Sequence, residues 1–414
     1  MPKPSSQPRA ATAARSAASD LLAAAQAILP WMVEIRRDLH QHPELGLEEH
    51  RTRGRVEARL DELGIPFVGG LAGTGVVGTI AGRSSGPAVA LRADLDALPL
   101  HDGKDVPYRS CHDGKMHACG HDVHTAVLLG AARLLGERAA ELAGPVKLIF
   151  QPAEETVGGA RLLVEQGVLA DPPVAAIFGL HVDPGMEVGT VGLKYGQRNA
   201  SSDNLKIVVH GRSCHGAYPS SGVDAIVVAA QVVSALQSVV SRNVDARASA
   251  VVTLGTISGG TQGNIVAARV EMVGTVRTLD NSTRALVLRR VREVAEGVAS
   301  GFGARAEVII EPSYDPLVNA DEMVDVVRRS AGELLGEDGV VVVQRPNMGV
   351  EDFGFYLSHV PGAFYSLGVR NEAAGIVHPV HHELFDVDER AMAYGAALQV
   401  RNVLNAFAAL AASR

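Results

Sequence analysis

Residues 145–181, PVKLIFQPAEETVGGARLLVEQGVLADPPVAAIFGLH, set the architecture. PVKLIF (Pro145–Phe150) is a short apolar run of strand length, and so is AAIFGLH (Ala175–His181). Neither alternates as a strand with one wet face would. Between them, Gly158–Gly167 has helical spacing. A buried strand, a helix and a second buried strand predict a parallel pair joined by a crossover.

The same grammar extends outward. Upstream, Gly75–Ile80 and Ala88–Arg92 read as strands and His121–Glu137 as a buried helix with AVLLGAARLLG at its heart. Leu21–Leu63 is helical, broken at His42-Pro43 and closed by Gly64-Ile65-Pro66. Downstream of Pro316, helices are predicted over Ala320–Leu335, Phe353–Leu357 and Glu389–Ala411, and strands over Val340–Val343 and Phe364–Leu367. The class is α/β, with a mostly parallel sheet covered by helices on both faces.

The middle of the chain differs. Asn204–His210 is a strand, Asp224–Ser241 an amphipathic helix, and Ala248–Ile257 and Arg269–Leu279 two strands around Gly259-Gly260. Ser282 is the predicted N-cap of a helix to about Ser300, and Arg305–Ile310 is the last strand. The order β-α-β-β-α-β is ferredoxin-like. Its ends lie close together, so it suits insertion into a host. The expected organisation is a discontinuous catalytic domain, residues 21–200 and 315–414, and an inserted lid and dimerisation domain, residues 201–314. Residues 1–20, rich in Pro, Ser, Ala and Arg, read as a disordered tail, with an organelle transit peptide as the sharper alternative.

Composition narrows the function. A chain of 414 residues exceeds what one hydrophobic core ordinarily supports, which agrees with two domains. Lys plus Arg (38) against Asp plus Glu (46) gives a net charge of −8, so nothing electrostatic points to nucleic acid or an anionic membrane. No run of about 18 apolar residues is free of polar punctuation, so no membrane span is expected. Three cysteines, Cys111, Cys119 and Cys214, are too few and too odd for a disulfide framework; a reducing, cytoplasmic location is expected.

Chemistry-bearing residues collect at strand ends and loops. Met116-His117-Ala118-Cys119-Gly120-His121-Asp122-Val123-His124 opens a helix, and Cys, His and carboxylates are ligands for zinc-like cations. A Cys-His nucleophile pair is the rival reading of Cys119. In Gln151-Pro152-Ala153-Glu154-Glu155 two carboxylates follow a buried strand. One can bind metal while its neighbour handles protons, although an isolated Glu-Glu is more often a solvated turn. His181 ends another strand, where a lone His is commonly a satisfied core residue. His378-Pro379-Val380-His381-His382-Glu383-Leu384-Phe385 is a polar loop before the last helix. Asp94 and Asp96, in RADLDALP, also follow a strand; either could ligate a cation or orient a ligand imidazole. In the inserted domain, His215 sits in a small-residue turn, Asn264 follows the Gly-Gly turn, and Arg277 lies on a strand.

Together, RADLDALP, MHACGHDVH, QPAEE, GLHV, HGAYP, GTVRT, MGVEDF and VHHELF resemble the aminoacylase/carboxypeptidase family of dinuclear metallohydrolases. The likeness runs from about Arg36 to Arg390 and points to the amidohydrolase branch, with its hippurate hydrolases and plant hydrolases of indole-acetyl amino acids. The resemblance implies Cys119, His121, Glu155, His181 and His381 as ligands of two divalent cations, with zinc, manganese, cobalt and nickel all admissible. His381 rather than His382 holds the family's position, four before Phe385. The resemblance further implies Glu154 as general base, Asp96 as support for a ligand or the base, and His215 as a lid residue that donates to the oxyanion in a neighbouring subunit. Asn264 and Arg277 then grip the substrate. The activity implied is hydrolysis of N-acyl amino acids by a homodimer or a dimer-based tetramer. A carboxypeptidase or dipeptidase acting on short peptides is the alternative, and a catalytically silent binding homologue the third. The chain departs from the family at Thr156, Ser220 and Asn264-Ile265-Val266-Ala267, where Gly, His and Asn-x-Ile-Pro are common. These departures bear on substrate preference and lid geometry.

Overall fold

The computed structural model describes residues 7–412, which form two compact units. The first runs through Gly196 and resumes over Asn319–Gln344 and from Phe355 onward; the second comprises Gln197–Val318 and Arg345–Gly354. The segment 345–354, expected in the catalytic domain, belongs to the second unit. Its backbone explains why: Asn347 N donates to Arg198 O at 2.7 Å, and Gly349 O accepts from Ala200 N at 3.1 Å.

The first unit is built on an eight-stranded sheet. Its order is Phe67–Leu71, Gly75–Ile80, Val146–Gln151, Ala88–Asp94, Val174–Glu187, Gly362–Arg370, Val191–Leu193, Val340–Val342. The central neighbours are parallel: Ala88–Asp94 lies between Val146–Gln151 and Val174–Glu187, which pairs with Gly362–Arg370. Antiparallel pairs enter towards the edges. The predicted crossover is present, through the helix Gly159–Glu165, but the two strands it joins are not paired with each other, since Ala88–Asp94 lies between them. Ala88–Asp94 and Val146–Gln151 are buried along their whole length, including the polar Arg92, Asp94, Lys147 and Gln151.

The helix His121–Gly136 is buried nearly all round. Gly130 allows its close approach to the helix Leu29–Gln41, since a Cβ there would stand 2.2 Å from Met32 Sδ. The tail reading needs correction. Residues 1–6 lie outside the described residues, but a helix spans Gln7–Ala27. Its sequence, AATAARSAASDLLAAAQA, is dominated by the best helix former, and Ala18, Leu21 and Ala25 are buried.

In the second unit four antiparallel strands lie in the order Arg305–Tyr314, Ser202–His210, Arg269–Thr278, Ala250–Gly259. Helices Ala225–Ser238 and Asn281–Gly301 supply Val228, Val232, Leu236, Val287 and Val291 to a core with Ile207, Val209, Val270 and Met272. This is the ferredoxin-like arrangement. The stretch Ala225–Asn243 is long and apolar enough to cross a membrane by length and composition; here its Val228–Val232–Leu236 stripe lies in that core. Asp280, not Ser282, caps the second helix: its Oδ1 accepts from Thr283 N at 2.8 Å and from Ser282 Oγ at 2.6 Å.

Candidate active site

The site of the first unit grows from the register of its central strands. Asp94 stands opposite Gln151, and Arg92 opposite Gly179, so two residues further on Asp94 and His181 reach one level. Past that level Ala88–Asp94 and Val146–Gln151 end, while the strand of His181 runs on to Glu187. Asp96 follows one, Glu154 and Glu155 the next, and the Cys119–His121 turn approaches from the helix start.

Gly120 makes that turn possible. Its φ is +81°, and a Cβ would stand 2.5 Å from Val182 Cγ2. Two residues of the site's own loops hold left-handed backbone although they carry a Cβ, Ala153 (φ 56°) and His381 (φ 60°); Leu47 and Ala72 do so elsewhere. Such conformations cost about 1–3 kcal/mol each and persist where surroundings enforce them. At His381 the enforcement includes its N–H, which donates to Ala118 O at 2.7 Å and ties the loop beside Cys119.

The five residues assigned as ligands by resemblance are brought together. Cys119 Sγ lies 3.3 Å from His181 Nε2, and His381 Nε2 lies 3.0 Å from Glu155 Oε1. Ligand atoms lie within 4.8 Å of one another in the groups Cys119–His121–His181, Cys119–Glu155–His381 and His121–Glu154–Glu155. Glu154 is buried within the same cluster.

Hydrogen bonds select the ring nitrogens. His181 Nδ1 lies 2.7 Å from Val182 O and must donate to it, which leaves Nε2 as the acceptor facing Cys119. His121 Nδ1 lies 3.2 Å from Asp96 Oδ1, while its buried Nε2 has no hydrogen-bond partner. An orphaned, buried imidazole nitrogen beside a thiol and two carboxylates fits a cation, which would satisfy it. Asp96 also reaches the acidic loop, where its Oδ2 accepts from Glu155 N at 2.9 Å. One carboxylate therefore orients two proposed ligands.

Charges in the cluster are mutually adjusted. Burial opposes a charged His121, but Asp94, Asp96 and Cys119 together raise its pKa well above the ordinary value. Burial pushes the Cys119 thiol well up. For Glu155, burial acts upward, and His381 and His121 overcome it to hold the carboxyl below its ordinary value. A cation would displace protons from His121 and Cys119.

Sequence reasoning gave His124 no role and left Asp94 open between cation ligand and support for an imidazole. Val182 N donates to His124 Nε2 at 2.9 Å, so the proton sits on Nδ1, which donates to Asp94 Oδ1 at 2.6 Å. Burial lowers the His124 pKa to about 4, with Asp94 opposing. This neutral ring has both nitrogens committed and braces the strand at His181. The spacing of His121 and His124 on one helix face was the available signal.

His215, Asn264 and Arg277 lie in the second unit. His215 is exposed and bridges to Ile265, and Gly216 N donates to Asn264 O at 2.8 Å, so the His215 and Asn264 turns are joined. Arg277 is not with them. It lies eight residues along its strand from Arg269, the partner of His210. At roughly 3.3 Å per residue this is about 26 Å.

A thiol, three imidazoles and paired carboxylates at the strand ends of an α/β sheet define a metal-dependent hydrolase of amide bonds. Comparison with known proteins agrees: residues 90–405 match the peptidase family M20/M25/M40, and the chain belongs to that family. It is 42% identical over 366 residues to the N-acetylcysteine deacetylase of Bacillus subtilis (87% of this chain, 93% of that one). It is 41% identical over 372 residues to IAA-amino acid hydrolase ILR1-like 4 of Arabidopsis thaliana (89% and 84%). Among solved structures, a dinuclear metal binding peptidase of the M20 family from Bacillus subtilis superposes with a TM-score of 0.81 at 38% identity, covering 92% of this chain and 98% of that one.

Proposed function

We propose that this chain hydrolyses N-acyl amino acids to a carboxylic acid and a free amino acid, with two divalent cations per subunit. Cys119, His121, Glu155, His181 and His381 would hold the cations. The thiolate favours a soft ion such as zinc, and manganese, cobalt and nickel suit the imidazoles and carboxylates. When bound, the cations supply Lewis acidity, which acidifies a water and polarises an amide carbonyl.

The observation that carries the reading is Glu154, a buried carboxylate next in sequence to a proposed ligand and within 4.8 Å of the ligand atoms of His121 and Glu155. Glu154 takes a proton from the attacking water and delivers it to the departing amine. Asp96 keeps His121 and Glu155 in orientation. Arg277 receives the amino-acid carboxylate in its planar fork. His215 donates to the developing oxyanion.

Arg277 lies about 26 Å by strand rise from Arg269, the residue paired with His210 at the end from which the chain leads to the His215 turn, and this supports their serving different sites. His215 and Asn264 would then complete the site of a second copy. The strand Ala250–Gly259, at the edge of its sheet with Val251 and Ile257 exposed, offers the pairing surface for such a dimer. The second reading, cleavage of short peptides, draws on the solved relative named as a peptidase.

Glu154→Gln tests the central claim. Turnover should fall at least a hundredfold while metal per chain stays at the wild-type level. Near-normal turnover would remove Glu154 from the reaction. Assays of N-acetyl, N-benzoyl and indole-acetyl amino acids beside dipeptides, after chelation and return of single metals, decide between the two substrate classes.

A further inference from the structure

The loop that carries Glu154 and Glu155 is anchored at its strained residue by a carboxylate about a hundred positions away. Ala153 has a φ of 56°, disfavoured for any residue with a Cβ. Its N–H donates to Glu49 Oε1 at 2.8 Å, across 104 residues of sequence. The other oxygen, Glu49 Oε2, accepts from Thr74 Oγ1 at 2.5 Å. Glu49 is wholly buried and stands immediately before the helix His50–Glu62.

The flanks of these two residues close on the same loop. A Cβ at Gly46 would stand 2.4 Å from Thr156 Oγ1 and 3.1 Å from Ala153 Cα. A Cβ at Gly75, next to Thr74, would stand 3.0 Å from Pro152 Cδ. Residues 46–49 and 74–75 therefore hem in residues 152–156 from two sides.

A buried carboxylate is a costly acceptor for one backbone N–H, since burial disfavours its charge. That cost shows in Glu49 itself, whose pKa burial pushes up to about 7 against the hydrogen bond from Thr74. The loop gains a fixed backbone at the one residue from which both site carboxylates hang. A change of φ at 153 swings everything C-terminal to it, including Glu154 and Glu155.

We propose that Glu49 is a positioning residue for the reaction: by accepting the Ala153 N–H it holds the left-handed turn that presents Glu154 and Glu155 together to the site. The proposal rests on the reading of Glu154 as the base. Glu49 acts through Ala153 and not on substrate.

The test compares Glu49→Ala with Glu49→Gln in the full-length protein. Glutamine keeps an oxygen for Ala153, and its amide can donate to a reoriented Thr74 hydroxyl. In Glu49→Ala, kcat per metal-loaded chain should fall at least tenfold, with KM within twofold and bound metal unchanged. Hydrogen exchange of the peptide 150–157 should accelerate in both metal-free and loaded protein. Glu49→Gln should recover the greater part of kcat and of the protection. If Glu49→Ala does not fold, Glu49→Asp, one methylene shorter, should show the same losses.

A structural carboxylate would change only the yield of folded protein and its melting temperature. Wild-type kcat per loaded chain in the shortened variant, unchanged exchange at 150–157, or Glu49→Gln no better than Glu49→Ala would each overturn the proposal. The exchange measurement does not depend on proton transfer. Failure of the base assignment, seen as a Glu154→Gln enzyme that still turns over, is therefore a separate result.

Discussion

Asp96 shows how much one side chain settles in this site. It accepts from His121 Nδ1 with one oxygen and from Glu155 N with the other, so it has no free rotation. Asn at this position has one oxygen and one NH2, and in either orientation the NH2 faces a donor. Asp96→Asn should therefore loosen two proposed ligands while preserving volume. Metal affinity should fall about 10–100-fold, the usual cost of losing an outer partner. Competition against a chelator of known affinity measures it, and wild-type affinity would deny Asp96 this role. Cys119, His121, Glu154 and Glu155 were legible in sequence because each sits in a short string whose residue types already pair. Glu49 was not. Its partners Thr74 and Ala153 lie far from it in sequence and meet it only in the folded chain.

Elements are held by charge as well as by apolar packing. Arg36, fully buried on the helix Leu29–Gln41, bonds to Asp122 at 2.9 Å, Asp386 at 2.8 Å and Glu389 at 3.2 Å. Asp122 follows His121, and Asp386 closes the loop that begins at His378. Lys104 Nζ joins the brace, donating to Phe385 O at 2.7 Å and lying 3.0 Å from His40 Nε2. The elements that bear His121 and His381 are thus locked to a common helix. Arg36→Met would leave the buried Asp122 without its guanidinium, at about 3–5 kcal/mol, while Glu389 keeps Arg37. Denaturant unfolding should show a lower midpoint of that order, and a loss under about 1 kcal/mol would mean that Asp122 finds other partners. Most elements were readable from periodicity, and the exceptions have causes. Phe67–Leu71 (FVGGL) carries two glycines and little strand signal, and it exists because Gly75–Ile80 pairs with it. The cap moved from Ser282 to Asp280 because the carboxylate of Asp280 reaches Thr283 N, and Ser282 then serves Asp280. Residues 345–354 changed unit because their backbone partners lie near residue 200.

Across the entire chain, buried titratable groups make stability depend on pH with opposing signs. His124 is held down to about 4 by burial, so the folded chain resists its protonation, and stability is lost as pH falls from about 6.5 through 4. Glu49 is pushed up to about 7 from the ordinary 4.5 by burial. Between those values the folded chain binds a proton that the unfolded chain has released. This contribution is complete below about pH 4.5 and is lost as pH rises through 7. Glu49→Gln carries no charge at any pH and keeps the oxygen that Ala153 needs. Measured on metal-free protein, the stability of Glu49→Gln relative to wild type should be greater at pH 8 than at pH 5, by a figure of the order of 2–3 kcal/mol. Denaturant unfolding of both chains at the two pH values gives this double difference, in which the fixed cost of the substitution cancels. A difference that is the same at both pH values would mean that Glu49 keeps its charge throughout, and that Thr74 and Ala153 stabilise the carboxylate fully against its burial.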